Sequence, residues 1–459
     1  MKSDSYKKTL ETLPSARQLK WQRYGYYGMI AYGMNTMTGA EWGNGYTPPD
    51  TFWPEQLDTD VWAAFAKQAG MSALVLTAKH YDGFCLWQTE MTDYSLKSCA
   101  NWRDGKGDIV ADLAASCRKA GLGFGLYVAP WDKHAPTYGT GKPYDDFFCG
   151  LLTELLTKYG DIFEIWLDPR VGAGVNGTMQ DFDLIRYYTL IRSLQPDCVI
   201  AGLGPDVRWN GGNKFVARKS EWSVVPARLY NGDKKLELQS PDLGSRRVIR
   251  QDSDFMWYPL EVSVPMRDGW FWKKDDSYSA KTKDKLWKLY LESVGHNANF
   301  MLGICPDRQG KFHEVDTSIL KNFAKDLHLH FGYNLLTESG AVTPSSELSE
   351  VYGIQNVLHT GDGFWMPSAE EKRPYIDLHF EKPELFDKLT ICENIRNGQR
   401  IEAFEVYIKD RKGKLRPAYL GATVGNRQIC PLRTSESADI RIVFTEFRDT
   451  PQISYLAVN

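Results

Sequence analysis

The stretch Ile162-Phe-Glu-Ile-Trp-Leu-Asp168 is an apolar and aromatic run that ends on one carboxylate and breaks at Pro169. Buried parallel strands read as near-continuous apolar runs, and the carboxyl end of such a strand is where α/β barrels place chemistry. A second run, Ala73-Leu-Val-Leu-Thr-Ala78, has the same design and leads into Lys79-His80-Tyr81-Asp82-Gly83-Phe84. Asp also commonly caps a turn after a strand, so Asp168 has a structural reading beside the nucleophilic one. As the nucleophile of a retaining glycoside hydrolase it would need a second carboxyl group about 5–5.5 Å away as general acid/base. With 15 Trp and 24 Tyr in the chain, the two polar strand ends suggest an aromatic-walled pocket for a polar, uncharged ligand. A sugar is the obvious candidate.

Repeating strand and helix patterns must hold these ends in place. Strand candidates are 29–35, 73–78, 123–129, 162–168, 198–203 and 299–304. Between them Val61, Trp62, Phe65, Ala66 and Ala69 recur at helical spacing before Gly70. Ile109, Val110, Leu113, Ala114 and Cys117 do so before Gly121, and Leu151, Leu152, Leu155 and Leu156 before Gly160. Repeated βα units predict a parallel sheet, and this length favours an irregular TIM-like (β/α) barrel over an open sheet. After Gly332 the runs become short and alternating, as in Tyr375-Ile-Asp-Leu-His-Phe380 and Ile440-Arg-Ile-Val-Phe444. That pattern predicts an antiparallel β-sandwich. The expected division is a barrel over 1–338 and a sandwich over 339–459.

At 459 residues the chain is too long for one core. A net charge of −3 and a pI near 6.3 give no electrostatic reason to expect nucleic acid or an anionic membrane as partner. No apolar stretch is long enough to span a bilayer. Met1–Lys8 lacks an apolar signal core, which leaves the compartment open. The eight Cys contain no CxxC pair and are expected to be packing thiols. The His spacing gives no metal motif, so neither metal nor cofactor is expected; His328 and His330 are expected to face solvent. Gly172-Ala-Gly174-Val-Asn-Gly177 matches GxGxxG but does not open a helix near the start of a βαβ domain. It is read as a flexible loop over the strand end.

A longer set of blocks carries a resemblance. Asn35-Thr-Met-Thr-Gly-Ala-Glu41-Trp42-Gly43, Thr77–Trp87, Trp131-Asp132, Glu164-Ile-Trp-Leu-Asp168, Arg208-Trp209, Glu221-Trp222-Ser223, Glu261 with Arg267–Phe271, and Ser293–Asn299 resemble the α-L-fucosidases of glycoside hydrolase family 29. In the tail, Asn394–Arg400 and Gly425-Asn-Arg427 are similar to the family's accessory sandwich of the galactose-binding (discoidin-like) type. The resemblance covers almost the whole chain and is strongest to the subgroup that acts on branched 1,3/1,4-linked fucose. It implies a retaining two-carboxylate mechanism on a fucosylated carbohydrate, with Asp168 at the nucleophile position. Trp166, His80, Tyr127, Glu41 and Trp42 fall on positions that line the fucose pocket. Trp131 and Trp87 are candidate stacking platforms with an equal reading as packing aromatics.

Three departures qualify this carry-over. The family's first-strand His is replaced within Ile30-Ala31-Tyr32-Gly33, and its paired His after the second strand reads His80-Tyr81. The block that supplies the acid/base Glu reads Arg208-Trp209-Asn210-Gly211-Gly212-Asn213, with Asn213 where the Glu should be. An amide cannot donate a proton to a leaving oxygen, and losing general acid catalysis costs about 10²–10⁴-fold. Three outcomes stay open: Glu221 or, next, Glu261 supplies the acid; the pocket takes a related sugar; or a silenced hydrolase scaffold serves as a carbohydrate-binding protein. The expectation is a family 29 fucosidase-like hydrolase of weak or altered activity, with Asp168 and Glu221 as its catalytic pair.

Overall fold

The computed structural model describes residues 4–211, 217–232 and 236–459. Eight parallel strands form one sheet: β1 (Tyr26–Ile30), β2 (Ala73–Lys79), β3 (Gly123–Val128), β4 (Glu164–Leu167), β5 (Val199–Gly202), β6 (Arg208–Gly211), β9 (Leu260–Pro265) and β10 (Ala298–Ile304). Their order is β5-β4-β3-β2-β1-β10-β9-β6, so the two outermost strands are consecutive in the chain and the sheet curls into a barrel. No ladder joins β5 to β6 among the described residues, and this open seam makes the barrel irregular.

The helices follow from caps as well as periodicity. Asp58, Asp108 and Asp183 each accept backbone N–H groups at the start of helices Thr59–Gln68, Ile109–Ala120 and Leu184–Leu194. Gly121, at φ +67°, ends the second in a left-handed cap that a side chain would strain. Two strands of the parallel sheet escaped the sequence reading. β6 is only four residues, and β9 contains Glu261 and Ser263, which break its apolar run. Between them a small hairpin, β7 (Val224–Pro226) with β8 (Phe255–Trp257), stands where a regular barrel has a helix.

The second sheet is antiparallel: β11 (Gly340–Pro344), β12 (Tyr375–Glu393), β13 (Ile401–Lys409), β14 (Leu415–Gly421), β15 (Gln428–Phe447) and β16 (Ile453–Val458). Segments expected as separate short strands are halves of two long ones. β12 and β15 stay paired through register breaks at 379/384 and 386/388, and the bends wrap one ladder into a sandwich. Ile376, Leu378, Phe380, Ile440, Ile442 and Phe444 alternate inward around buried Trp365.

The two layers meet through specific polar contacts. Asn297 accepts the Asn426 N–H at 2.7 Å and donates to the Glu221 carbonyl at 2.8 Å. Gln399 of the sandwich accepts the Ser223 N–H at 2.8 Å. His330, expected in solvent, is instead half-buried here, accepting from Lys388 Nζ at 3.0 Å and packing on Trp287; His328 is exposed. All eight cysteines are buried and unpaired. Among the described residues no helix is long and apolar enough to cross a membrane.

Candidate active site

Asp168 leaves the end of β4 at the mouth of the barrel. Its Oδ1 accepts the Arg170 backbone N–H at 2.7 Å, and its Oδ2 accepts the Tyr127 hydroxyl at 2.6 Å. The Tyr81 hydroxyl faces the same carboxylate, and its pKa is pushed upward, first by burial and then by the Asp168 charge. Only 8% of Asp168 is exposed, which suits a nucleophile whose lone pairs are aimed by fixed donors. The cap reading and the nucleophile reading therefore coexist: one oxygen caps the turn and the other is aimed by tyrosines.

A pocket of about 110 Å³ opens beside this carboxylate. That is small against the roughly 300–1,000 Å³ of sites for drug-sized ligands, so it suits one small ring rather than an extended ligand. Glu41, Trp42, His80, Tyr81, Tyr127 and Trp166, all expected from sequence, line it together with Asp168. Trp166 stacks on Tyr127 with ring centroids 5.4 Å apart and planes 17° apart. Glu41 accepts the Trp270 N–H at 2.7 Å and reaches Lys273 Nζ at 3.6 Å.

His80 is wedged among Tyr81, Tyr127 and Phe271. Burial, reinforced by Lys79, Lys133 and Arg170, lowers its pKa to about 3. The imidazole is therefore neutral and can offer one donor and one acceptor; its Nδ1 has no hydrogen-bond partner among the described residues. Where the resemblance expects two further imidazoles, Ala31 lines the wall and Tyr81 contributes a hydroxyl.

A buried ion pair holds the two strand ends together. Lys79 Nζ lies 3.0 Å from Asp132 and donates to the Ala129 carbonyl at 2.8 Å, tying β2 to the loop after β3. That loop carries Trp131, which packs against Trp42 and Tyr81 and has Lys133 Nζ over its ring at 4.9 Å. Trp42 is 44% exposed, with the Arg170 guanidinium 4.9 Å from its ring, and forms the rim. Trp87 is fully buried and donates to Glu154 at 2.9 Å, so it is a packing residue rather than a sugar platform. The glycine loop is pinned rather than free: Gly172 and Gly174 leave room for the Trp131 and Tyr138 rings, and Ala173 accepts the Trp131 N–H at 3.1 Å.

The expected acid partner is corrected by its surroundings. Glu221 is buried outside the pocket, bonded to Arg208 at 2.7 Å, to the Arg218 N–H at 2.9 Å and to the Arg218 guanidinium. Burial works against its charge, but Arg208 and Arg218 prevail and hold the pKa below the ordinary carboxylate range. A carboxylate held in its charged form by two arginines and buried outside the pocket is not placed to protonate a leaving oxygen. Glu261 is also fully buried and bonds Trp166 and Tyr27 instead of facing the pocket. Asn213 lies outside the described residues.

Several lining residues were not foreseen: Arg170, Trp209, Ser263, Trp270 and Met301. Trp209 and Ser263 sit on the two strands missed in the sequence, and Trp209 Nε1 donates to Ser263 Oγ at 2.5 Å. Arg170 was legible only as the residue two beyond Asp168.

Comparison with known proteins adds an independent line. The family profile described as Alpha-L-fucosidase matches residues 6–330. The chain is 37% identical over 455 residues to Alpha-L-fucosidase 1 of Arabidopsis thaliana, covering 97% of this chain and 87% of the relative. A glycoside hydrolase 29 family member from a rumen bacterium superposes with a TM-score of 0.82 at 30% identity, covering 97% of this chain and 77% of the other. A Ruminococcus gnavus family 29 fucosidase in complex with fucose superposes with a TM-score of 0.86 at 28% identity, covering 98% and 95%.

Proposed function

From the premise that the chain belongs to the α-L-fucosidase family, glycoside hydrolase family 29, we propose that it cleaves terminal α-linked L-fucose with Asp168 as nucleophile. The observation that carries this is a carboxylate at the end of β4, aimed into a one-ring pocket by Tyr127 at 2.6 Å and the Arg170 N–H at 2.7 Å. In this reading Asp168 attacks the anomeric carbon, the bond to the leaving oxygen breaks, and a fucosyl ester forms. Water then attacks the same carbon, and fucose leaves with its configuration retained. The apolar face of the sugar rests against Trp166 and Met301, and its hydroxyls meet His80, Glu41 and Tyr81. That the Ruminococcus gnavus relative is described in complex with fucose supports the choice of sugar.

Leaving-group protonation is the weak half of this site. Glu221 and Glu261 are both committed elsewhere, and the position that resembles the family's acid is an amide, Asn213. The reading therefore favours substrates whose leaving oxygen departs without a proton. The test is hydrolysis of 4-nitrophenyl α-L-fucoside. Turnover is expected to vanish in Asp168→Asn. In Asp168→Ala, azide is expected to restore it and yield β-fucosyl azide, because a small anion takes the carboxylate's place. Activity that survives Asp168→Asn would remove the assignment; fucose binding with no turnover of any fucoside would favour a carbohydrate-binding protein.

A further inference from the structure

Two acidic side chains lie beneath the pocket, out of reach of solvent. Glu164 on β4 and Glu261 on β9 are both fully buried, and their carboxyl groups meet inside the barrel. Glu261 is well supplied with donors: its Oε2 accepts the Tyr27 hydroxyl at 2.5 Å and its Oε1 the Trp166 indole N–H at 2.9 Å. Glu164 is not; among the described residues neither of its oxygens has a well-formed hydrogen bond from a donor, and the donors beside it, Tyr27 and Trp21, are engaged elsewhere. The Tyr27 hydroxyl is already given to Glu261, and the nearby Trp21 indole N–H to Tyr27 at 3.2 Å.

An ionised carboxylate buried without donor or cation costs several kcal/mol, and two adjacent ones cost more. The low-energy state has one proton between them: Glu164 is the acid, and it donates to Glu261, which stays charged under three donors. The titratable groups that face the pair are Tyr27, Tyr24 and Cys198. All are neutral at ordinary pH, so none replaces that proton. Burial correspondingly raises the pKa of both carboxyls.

We propose that Glu164 and Glu261 form a one-proton acid pair that positions the nucleophile from below. Glu261 fixes the Trp166 ring through its N–H, Trp166 stacks on Tyr127, and Tyr127 donates to Asp168. Neither Glu touches substrate; both are positioning residues, and their effect on turnover rests on Asp168 being the nucleophile. Loss of the shared proton at high pH places two negative charges side by side. The pair separates, Trp166 loses its anchor, and activity falls without any group in the pocket having titrated.

The experiment follows kcat and KM for 4-nitrophenyl α-L-fucoside from about pH 5 to 9.5, beside near-ultraviolet circular dichroism of the unliganded protein. In Glu164→Gln the amide still donates to Glu261 but cannot ionise. It should keep kcat within about threefold near pH 6 and lose the alkaline limb. In Glu261→Gln the amide NH₂ confronts one of two fixed donors; kcat should drop by about 30-fold or more with KM changed little. The wild-type tryptophan signal should change over the same pH range as the limb, and this change should be absent in Glu164→Gln. An alkaline limb unmoved in Glu164→Gln overturns the proposal, as does equal loss of activity at every pH in both variants. The dichroism needs no substrate: it reads the pair even if Asp168 fails its azide test, so the two failures are distinguishable. If Glu261→Gln does not fold, Glu164→Gln decides alone.

Discussion

At the scale of single residues, the carboxylate proposed as nucleophile was legible as a strand-end group and an acid partner for it was not, for a definite reason. Asp168 is marked by what precedes it, an apolar run whose end must face the barrel mouth. Glu221 has no such marker: nearness in sequence to the missing acid suggested it, and only packing reveals that Arg208 and Arg218 consume its charge. The deficit can be tested directly. Asn213→Glu should raise turnover of natural fucosides, whose leaving groups need a proton, far more than that of 4-nitrophenyl fucoside. The gain should stay below the roughly 10²–10⁴-fold of general acid catalysis, because Ala31 and Tyr81 hold the sugar with fewer imidazoles than the resembling enzymes. Equal gains on both substrates would show that protonation was not the limiting step.

His80 gives a second residue-scale prediction, with a sign that can be worked out. Its folded pKa is about 3 against an ordinary 6.5. Between those values the unfolded chain takes up a proton that the folded state refuses, so stability is complete above about pH 6.5 and is lost as pH falls toward 3, by up to about 1.4 kcal/mol per pH unit. Asp82 acts oppositely: burial lifts it from 3.8 to about 7, so its contribution is lost as pH rises across that interval. Urea unfolding of His80→Leu between about pH 4 and 7 should therefore show a shallower acid loss than the wild type, leaving the Asp82 slope exposed. A slope unchanged by the substitution would mean that His80 is protonated in the fold.

Elements were legible where their pattern was long and regular. Helices 59–68, 109–120 and 142–158 carry full apolar stripes between an N-terminal signal and a stop. β6 and β9 were missed because polar residues that serve the interior, Asn210, Glu261 and Ser263, interrupt their apolar runs. The same demand placed Lys79 at the end of β2, where sequence shows only a charge among polar residues. Fully buried, it satisfies Asp132 and two carbonyls and sets the distance between the β2 and β3 ends that carry His80 and Trp131. Lys79→Met keeps the length of the side chain but strands Asp132, already buried. The expected cost is about 3–5 kcal/mol, seen as a lower midpoint in urea. Lys79→Met with Asp132→Asn should recover much of it, since an amide needs no counter-charge. A single substitution that leaves stability unchanged would show that water already serves Asp132.

Over the whole molecule, the change in residue pattern near 333–345 announced two units but not how they join. Leu336 packs in the sandwich core, and Asn334 bonds Leu456 and Val458, so we place the division just after Gly332 rather than at 338/339. Among the described residues, a fragment ending there retains every strand of the parallel sheet and the apolar residues between it and its helices, with the one exception of Ile429. It should therefore melt cooperatively. It should also be weaker, because it loses Gln399 on Ser223, Asn426 on Asn297 and the Arg448 guanidinium packed 3.8 Å from the Trp222 ring. Hydrogen bonds of this kind contribute about 0.5–1.5 kcal/mol each. These contacts converge on Asn297 and on residues 221–223, which follow β6 and the position of Asn213 in sequence. The fragment should thus lose activity out of proportion to its stability, even at temperatures where it is fully folded. Full-length Gln399→Ala should show the same bias in miniature, with a small fall in melting temperature and a larger fall in kcat. A fragment without a cooperative transition would mean that the barrel depends on the sandwich to fold, whereas full activity in a folded fragment would confine the sandwich to a role away from catalysis.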